Sequence, residues 1–282
     1  MSISIKAFLQ TTLFFPLIFA AQTEAAEKVF RVGDNTVTSL EQLVPELKGV
    51  DAILVGELHD NKKHHAAQLA IIKALNKAGI NFAIGIEMLP ASAQTQIDAF
   101  LSGAMKPDVF QKIFEDYWKH EWSLYKDIFF FAKSAKLPVI GLNVSKSVSR
   151  KVGYQGVAAL TPEETATVPP DIFCEVDGSG YMDFLRTSLM SHGQEERSFI
   201  YFCEAMVLWD KAMAWHTMDA LKQNPGKQMV VFAGVGHAWK RGIPLQLRKN
   251  SDFVYRVILP ELSRGIHRKT ISPEIADYLI FE

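Results

Sequence analysis

Four side chains able to move protons or hold a metal stand just past runs of apolar residues. Glu57 and His59 follow Ala52 to Gly56, Glu87 follows Phe82 to Ile86, and His237 follows Met229 to Gly236. Two carboxylates and two imidazoles brought together suit general acid–base catalysis or a divalent metal site. His59, Glu87 and His237 are the expected metal ligands, with Glu57 or Glu87 as general base. Residues 57 and 59 are two apart, so extended backbone would aim both at one face. His64, about one turn past Asp60, either returns toward the same mouth or stands at the surface, whereas His65 reads as a surface histidine in a helix's first turn. Asp210 is a charge in an otherwise apolar helical stretch; it pairs with Lys211 or a neighbouring helix, or points at the cluster. Trp118, His120, Trp122 and Tyr125 form an aromatic run at helical spacing, which reads as core or as a flat apolar platform for a large ring ligand.

These residues need a scaffold that carries strand ends to one edge. Ala52 to Gly56, Asn81 to Ile86 and Gln228 to Gly234 are continuous apolar runs, the pattern of strands buried on both faces. Asn61 to Ala78 between the first two is a helix stopped by Gly79. Strand, helix and strand at this spacing form a parallel βαβ unit with a right-handed crossover. Shorter strands are expected at Val29 to Val32, Leu137 to Leu142 and Phe253 to Leu259, and a long helix over Glu195 to Asn224. The fold class is therefore α/β: a mostly parallel central sheet flanked by helices, with a helical insertion over about 92–225. In such sheets ligands bind beyond the carboxyl ends of the strands, where the four residues lie.

The chain has 282 residues, 48% hydrophobic and 22% charged, with a net charge of -1. That composition is globular and gives no basic field for nucleic acid. The most basic stretch, Arg264 to Lys269, reads as a solvated loop. No dinucleotide glycine fingerprint, phosphate loop, Gly-x-Ser-x-Gly or His-Glu-x-x-His is present. At the N-terminus Lys6 precedes the apolar run Ala7 to Ala21, and Thr23-Glu24-Ala25 fits a small-x-small cleavage site. Residues 1–25 are thus expected to be a secretory signal peptide and 26–282 a single exported domain, soluble in the periplasm or envelope. No cysteine near the cleavage point offers a lipid anchor. Cys203, in an apolar helical stretch, reads as a buried thiol; pairing with Cys174 is left open.

Taken in order, Val55 to Asn61 (Val-Gly-Glu-Leu-His-Asp-Asn) with Gln68, Gly85 to Met88, Leu208 to Asp210 with Met213 and Ala214, and Ala233 to His237 with Gly242 to Pro244 resemble the ChaN-type haem-binding uptake family. That family is similar to the erythromycin esterases and Tiki/TraB proteases of a wider superfamily. The resemblance implies an exported haem-binding protein of iron uptake. It implies a homodimer holding two facing haems, with outer-membrane haem-uptake components as partners. It also implies a tyrosine as ligand of the haem iron and a histidine from the partner subunit contacting a propionate. Tyr125, Tyr154, Tyr181 and Tyr201 are candidate ligands, Tyr125 and Tyr181 foremost, with His64 as the accompanying histidine. A phenolate is a hard anionic donor suited to ferric haem. In the wider superfamily the positions of Glu57, His59, Glu87 and His237 resemble catalytic or metal-binding ones. The alternative function is therefore a metal-assisted esterase or peptidase.

Overall fold

The computed structural model describes residues 28–174, 186, 199–263 and 265–281. The expected signal peptide and Tyr181 lie outside them. Eight strands form one sheet: β1 (Lys28–Arg31), β2 (Thr36–Ser39), β3 (Ala52–Glu57), β4 (Phe82–Pro90), β5 (Val139–Asn143), β6 (Gln228–Gly234), β7 (Tyr255–Pro260) and β8 (Tyr278–Phe281). Their order is β2-β1-β8-β7-β3-β6-β4-β5. From β8 to β5 every pairing is parallel; β1 joins β8 and β2 antiparallel. The mostly parallel α/β sheet is as expected. Among the described residues no helix is long and apolar enough to cross a membrane.

All residues of β3, β4 and β6 are buried, because helices cover both faces. The covering follows the two-residue period of a strand. Ile53, Val55, Ile84, Ile86, Val230 and Phe232 pack into one core. Ala52, Leu54, Ala83, Met229, Val231 and Ala233 pack into the other. The first core is closed by α1 (Leu40–Leu47), α2 (Lys62–Lys77), α3 (Gln94–Ser102), α4 (Pro107–Tyr117) and α5 (Trp122–Ser134). Over the second lie α7 (Phe199–Gln223) and α8 (Ile243–Asn250), while α6 (Lys146–Gln155) packs on the outer side of α7. The region expected as a helical insertion thus holds an edge strand, β5, and supplies helices to both faces.

Local chemistry sets the ends of α2. Asn61 accepts the Lys63 N–H at 3.0 Å, and Gly79, at φ +70, takes the left-handed turn that ends the helix. Asn61→Ala is expected to cost about 1 kcal/mol, read as a lowered midpoint of urea unfolding; an unchanged midpoint would show the cap to be idle.

Two expectations are corrected here. Cys203 is not a free thiol: it is bonded to Cys174, with Cα atoms 5.5 Å apart, and no free cysteine is present. The apolar surroundings of a helical cysteine report burial, which a disulfide satisfies equally well. Nor is the basic stretch merely solvated. Arg268 forks onto Glu261 at 2.9 and 2.5 Å and lies 3.7 Å from the centroid of the Phe281 ring.

Candidate functional site

The strand parity that builds the two cores also sorts the two carboxylates. Glu57 continues the row of Ile53 and Val55 and so turns toward α2 and α5. There its carboxylate is filled. Oε1 accepts the Tyr125 hydroxyl at 2.8 Å and meets His59 Nδ1 at 2.7 Å; Oε2 accepts Gln68 Nε2 at 2.7 Å and faces His65 Nδ1 at 3.4 Å. Burial works against the charge of Glu57, but the His59 hydrogen bond, the His65 and His59 charges and the Tyr125 hydroxyl outweigh it. The group is held below the ordinary carboxylate range. With its oxygens occupied, Glu57 orients other groups rather than taking a proton from substrate.

His59 stands in the turn after β3, its side chain 27% exposed, with Nδ1 on Glu57. Burial disfavours its charged form, yet the hydrogen bond to Glu57 and the charge of Glu87 win, so its pKa is raised. The Nε2 end lies against Gly234: a Cβ there would sit 2.9 Å from it, so only glycine leaves room for this ring. Trp118 meets His59 edge-on, centroids 4.9 Å apart, and its Nε1–H donates to the Tyr125 oxygen at 3.1 Å. His120 lies 5.2 Å from His59; burial and the neighbouring His59 charge lower its pKa.

Glu87 continues the row of Ala83 and Gly85 and belongs to the side covered by α7. Its Oε2 accepts the Gly234 N–H at 2.7 Å, and its Oε1 is 3.8 Å from His237 Nε2. His237 sits in the single helical turn Val235–Ala238 that follows β6. Its Nδ1 meets Asp210 Oδ1, from α7, at 2.7 Å. Burial opposes protonation of His237, but Glu87 and Asp210 overcome it and raise its pKa to about 9. Trp209 packs edge-on against His237, centroids 5.4 Å apart, and its Nε1–H donates to Ser149 Oγ at 2.7 Å.

The two halves therefore match. Each is a histidine held at Nδ1 by a buried carboxylate and flanked by a tryptophan, one on each face of the sheet, meeting where β3, β4 and β6 end. Glu57, His59, Glu87 and His237 line one cavity of about 700 Å³ whose walls include Trp118, Trp209, Phe202 and Met206, with exposed Lys119 and Lys146 also lining it.

Other expected residues fall elsewhere. Tyr125 is fully buried and committed to Glu57; burial and that carboxylate push its phenol far above the ordinary value, so it does not offer a phenolate to a haem iron. His64 turns from the mouth: its Nδ1 accepts the Leu58 N–H at 2.9 Å, and it lines a separate cavity of about 290 Å³ with Arg268 and Phe281. His65, expected at the surface, is buried, with Nε2 on the His59 carbonyl oxygen at 3.1 Å. His59, Glu87 and His237 share the cavity, but among the described residues no three His, Cys, Asp or Glu side chains are disposed to hold a metal ion. Gln68 and Trp209 appeared in the sequence only within motifs, with no role; a lone glutamine amid the apolar residues 66–72 of the helix after the first strand was the available signal.

A search of solved structures finds ChaN of Campylobacter jejuni, whose structure is described as showing cofacial haem binding. It is 20% identical, with 92% of this chain and 97% of that one covered and a TM-score of 0.66. A succinoglycan biosynthesis protein matches at 14% identity over 79% of this chain and 68% of that one, with a TM-score of 0.50. Both likenesses are of fold. No curated protein matches by sequence. The sequence profile described as "Haem-binding uptake, Tiki superfamily, ChaN" matches residues 43–247, which include all four strand-end residues, Asp210 and the whole of β3 to β6. The chain belongs to this haem-binding uptake family of ChaN type.

Proposed function

We propose that the chain is an exported haem carrier of iron and haem uptake. It works as a homodimer whose two haems face each other and exchanges haem with outer-membrane uptake components. Membership of the haem-binding family carries this reading. Ferric haem asks for a hard anionic donor to iron, a cation for its propionates and an apolar surface for its ring. Tyr154 on α6 fits that donor set: the residue is 52% exposed, and the Arg150 guanidinium lies 5.8 Å from its ring centroid. Tyr201, from the start of α7, packs on Gly156 just past the end of α6, a residue at φ +83 whose Cβ would come within 2.7 Å of the Tyr201 ring. Nearby on α7, Ile200 is exposed as well. Tyr154 would hold the iron and Arg150 a propionate.

The test is titration with ferric haem followed by absorption, with size measured before and after. Wild type should give a saturable Soret shift and a doubling of mass. Tyr154→Phe should weaken binding about tenfold or more, about 1.4 kcal/mol or more, and lose the phenolate-to-iron charge-transfer band. Tyr125→Phe should retain both. No saturable binding by wild type defeats the reading; loss confined to Tyr201→Phe or Tyr181→Phe defeats the assignment of Tyr154.

A further inference from the structure

The smaller cavity, of about 290 Å³, opens between the start of α2 and the ends of β7 and β8, and shares no lining residue with the strand-end cavity. Tyr154 and Arg150 do not line it either. We infer that it is a binding site for a small organic monocarboxylate with an apolar body, whose oxygens are held by Asn61, His64 and Arg268.

The three side chains are fixed by the fold, and each keeps a donor that the fold does not use. His64 Nδ1 accepts the Leu58 N–H at 2.9 Å and so carries no proton. Burial and the neighbouring His65 lower the His64 pKa, so the ring is neutral and its one proton sits on Nε2. Asn61 gives its Oδ1 to the Lys63 N–H, which leaves its NH₂. Arg268 gives Nε and Nη2 to Glu261, which leaves Nη1. Among the described residues none of these three donors has a hydrogen-bond partner. The guanidinium is also held 3.7 Å from the centroid of the Phe281 ring, so it is in place before any ligand arrives. Donors come from α2 on one side and from the segment between β7 and β8 on the other, facing one space.

The donor set selects the ligand. Three donors ask for a group that accepts several hydrogen bonds and donates none, which is an oxyanion. The lining's one carboxylate, Glu261, is occupied by the Arg268 side chain and by the Arg268 N–H at 3.0 Å; Arg268 holds its carboxyl below the ordinary range, so it stays charged. Lys63 and Arg268 against Glu261 give the lining one net positive charge, which matches a monoanion better than a phosphate dianion. Ala67, Pro260, Ile280 and Phe281 supply apolar wall for the rest of the molecule. The volume is less than half that of the strand-end cavity and at the low end for small-molecule sites. It suits a single ring or a short chain and is too small for a porphyrin.

The purified full chain is titrated calorimetrically near neutral pH with benzoate, butyrate and inorganic phosphate. Benzoate should bind saturably with a Kd of about 1 mM or tighter, and phosphate about tenfold more weakly or worse. His64→Phe removes the Nε2 donor; Ala67→Leu fills the cavity and touches no hydrogen bond. Each should weaken benzoate binding about tenfold or more. Ala67→Leu decides the matter if His64→Phe fails to fold. Haem titration of both variants should match wild type, which separates this site from the haem site. No saturable binding of either carboxylate, wild-type benzoate affinity in a folded variant, or phosphate binding as tight as benzoate each overturns the inference.

Discussion

Glu57→Ala is expected to destabilise the fold by about 3–5 kcal/mol, measured as the shift in free energy of urea unfolding. The carboxylate is buried and is the common acceptor for Tyr125, Gln68 and His59, with His65 beside it. Removing it strands several donors at once, each of which carries its own desolvation penalty. Glu57→Gln separates charge from shape. Its amide oxygen can serve Tyr125 and His59, but its NH₂ would then face the Gln68 amide, donor against donor. A smaller loss of about 1–3 kcal/mol is expected. A Glu57→Ala loss below about 1 kcal/mol would mean that water replaces the carboxylate freely and that the network does not hold α2 and α5 to the strand end.

How such a network arises can be followed residue by residue from the sequence. The strands β3, β4 and β6 were legible because burial on both faces demands unbroken apolar runs. Their parallel order followed from the intervening helix. The same runs, read at period two, assign Glu57 to one face and Glu87 to the other. Proximity along the chain had put Glu57 and His59 on one face and assigned no face to Glu87. The two halves meet only because β3, β6 and β4 are neighbours and end together.

What was not legible depended on partners distant in sequence. β8 is four residues whose place is set by β7, β1 and the Asp277 carboxylate, which accepts the Val257 N–H at 2.8 Å; nothing local marks it. β2 and α1 hinge on Ser39 and Gln42 capping one another, a signal in the sequence that a proline inside the following helix masked. Helical spacing placed Tyr125 in an aromatic row but could not say that its hydroxyl ends on Glu57, 68 residues away. For Asp210 the sequence offered three partners, and only packing of α7 over β6 selects His237. His65 shows the converse error: a first-turn histidine is ordinarily solvated, but here α5 lies over it, with the Tyr125 ring centroid 4.4 Å away.

The second half of the site should announce itself as an alkaline loss of stability. In the unfolded chain His237 titrates near 6.5; in the fold Glu87 and Asp210 raise its pKa to about 9 despite complete burial. A raised pKa means that the folded state binds the proton more tightly. Its contribution is therefore fully present below about pH 6.5 and is lost as pH rises through about 9. The gap corresponds to about 3 kcal/mol. Glu57 acts with the opposite sign: its lowered pKa stabilises above the ordinary carboxylate range, and that contribution is lost as pH falls through the folded value. Urea unfolding measured from pH 6 to pH 10 should therefore show stability falling on the alkaline side. In Asp210→Asn the same fall should be shallower, because one of the two charges holding the His237 proton is gone. A profile that is flat between pH 7 and pH 10 would mean that His237 is neutral in the fold, and a fall identical in Asp210→Asn would mean that Glu87 alone holds the proton.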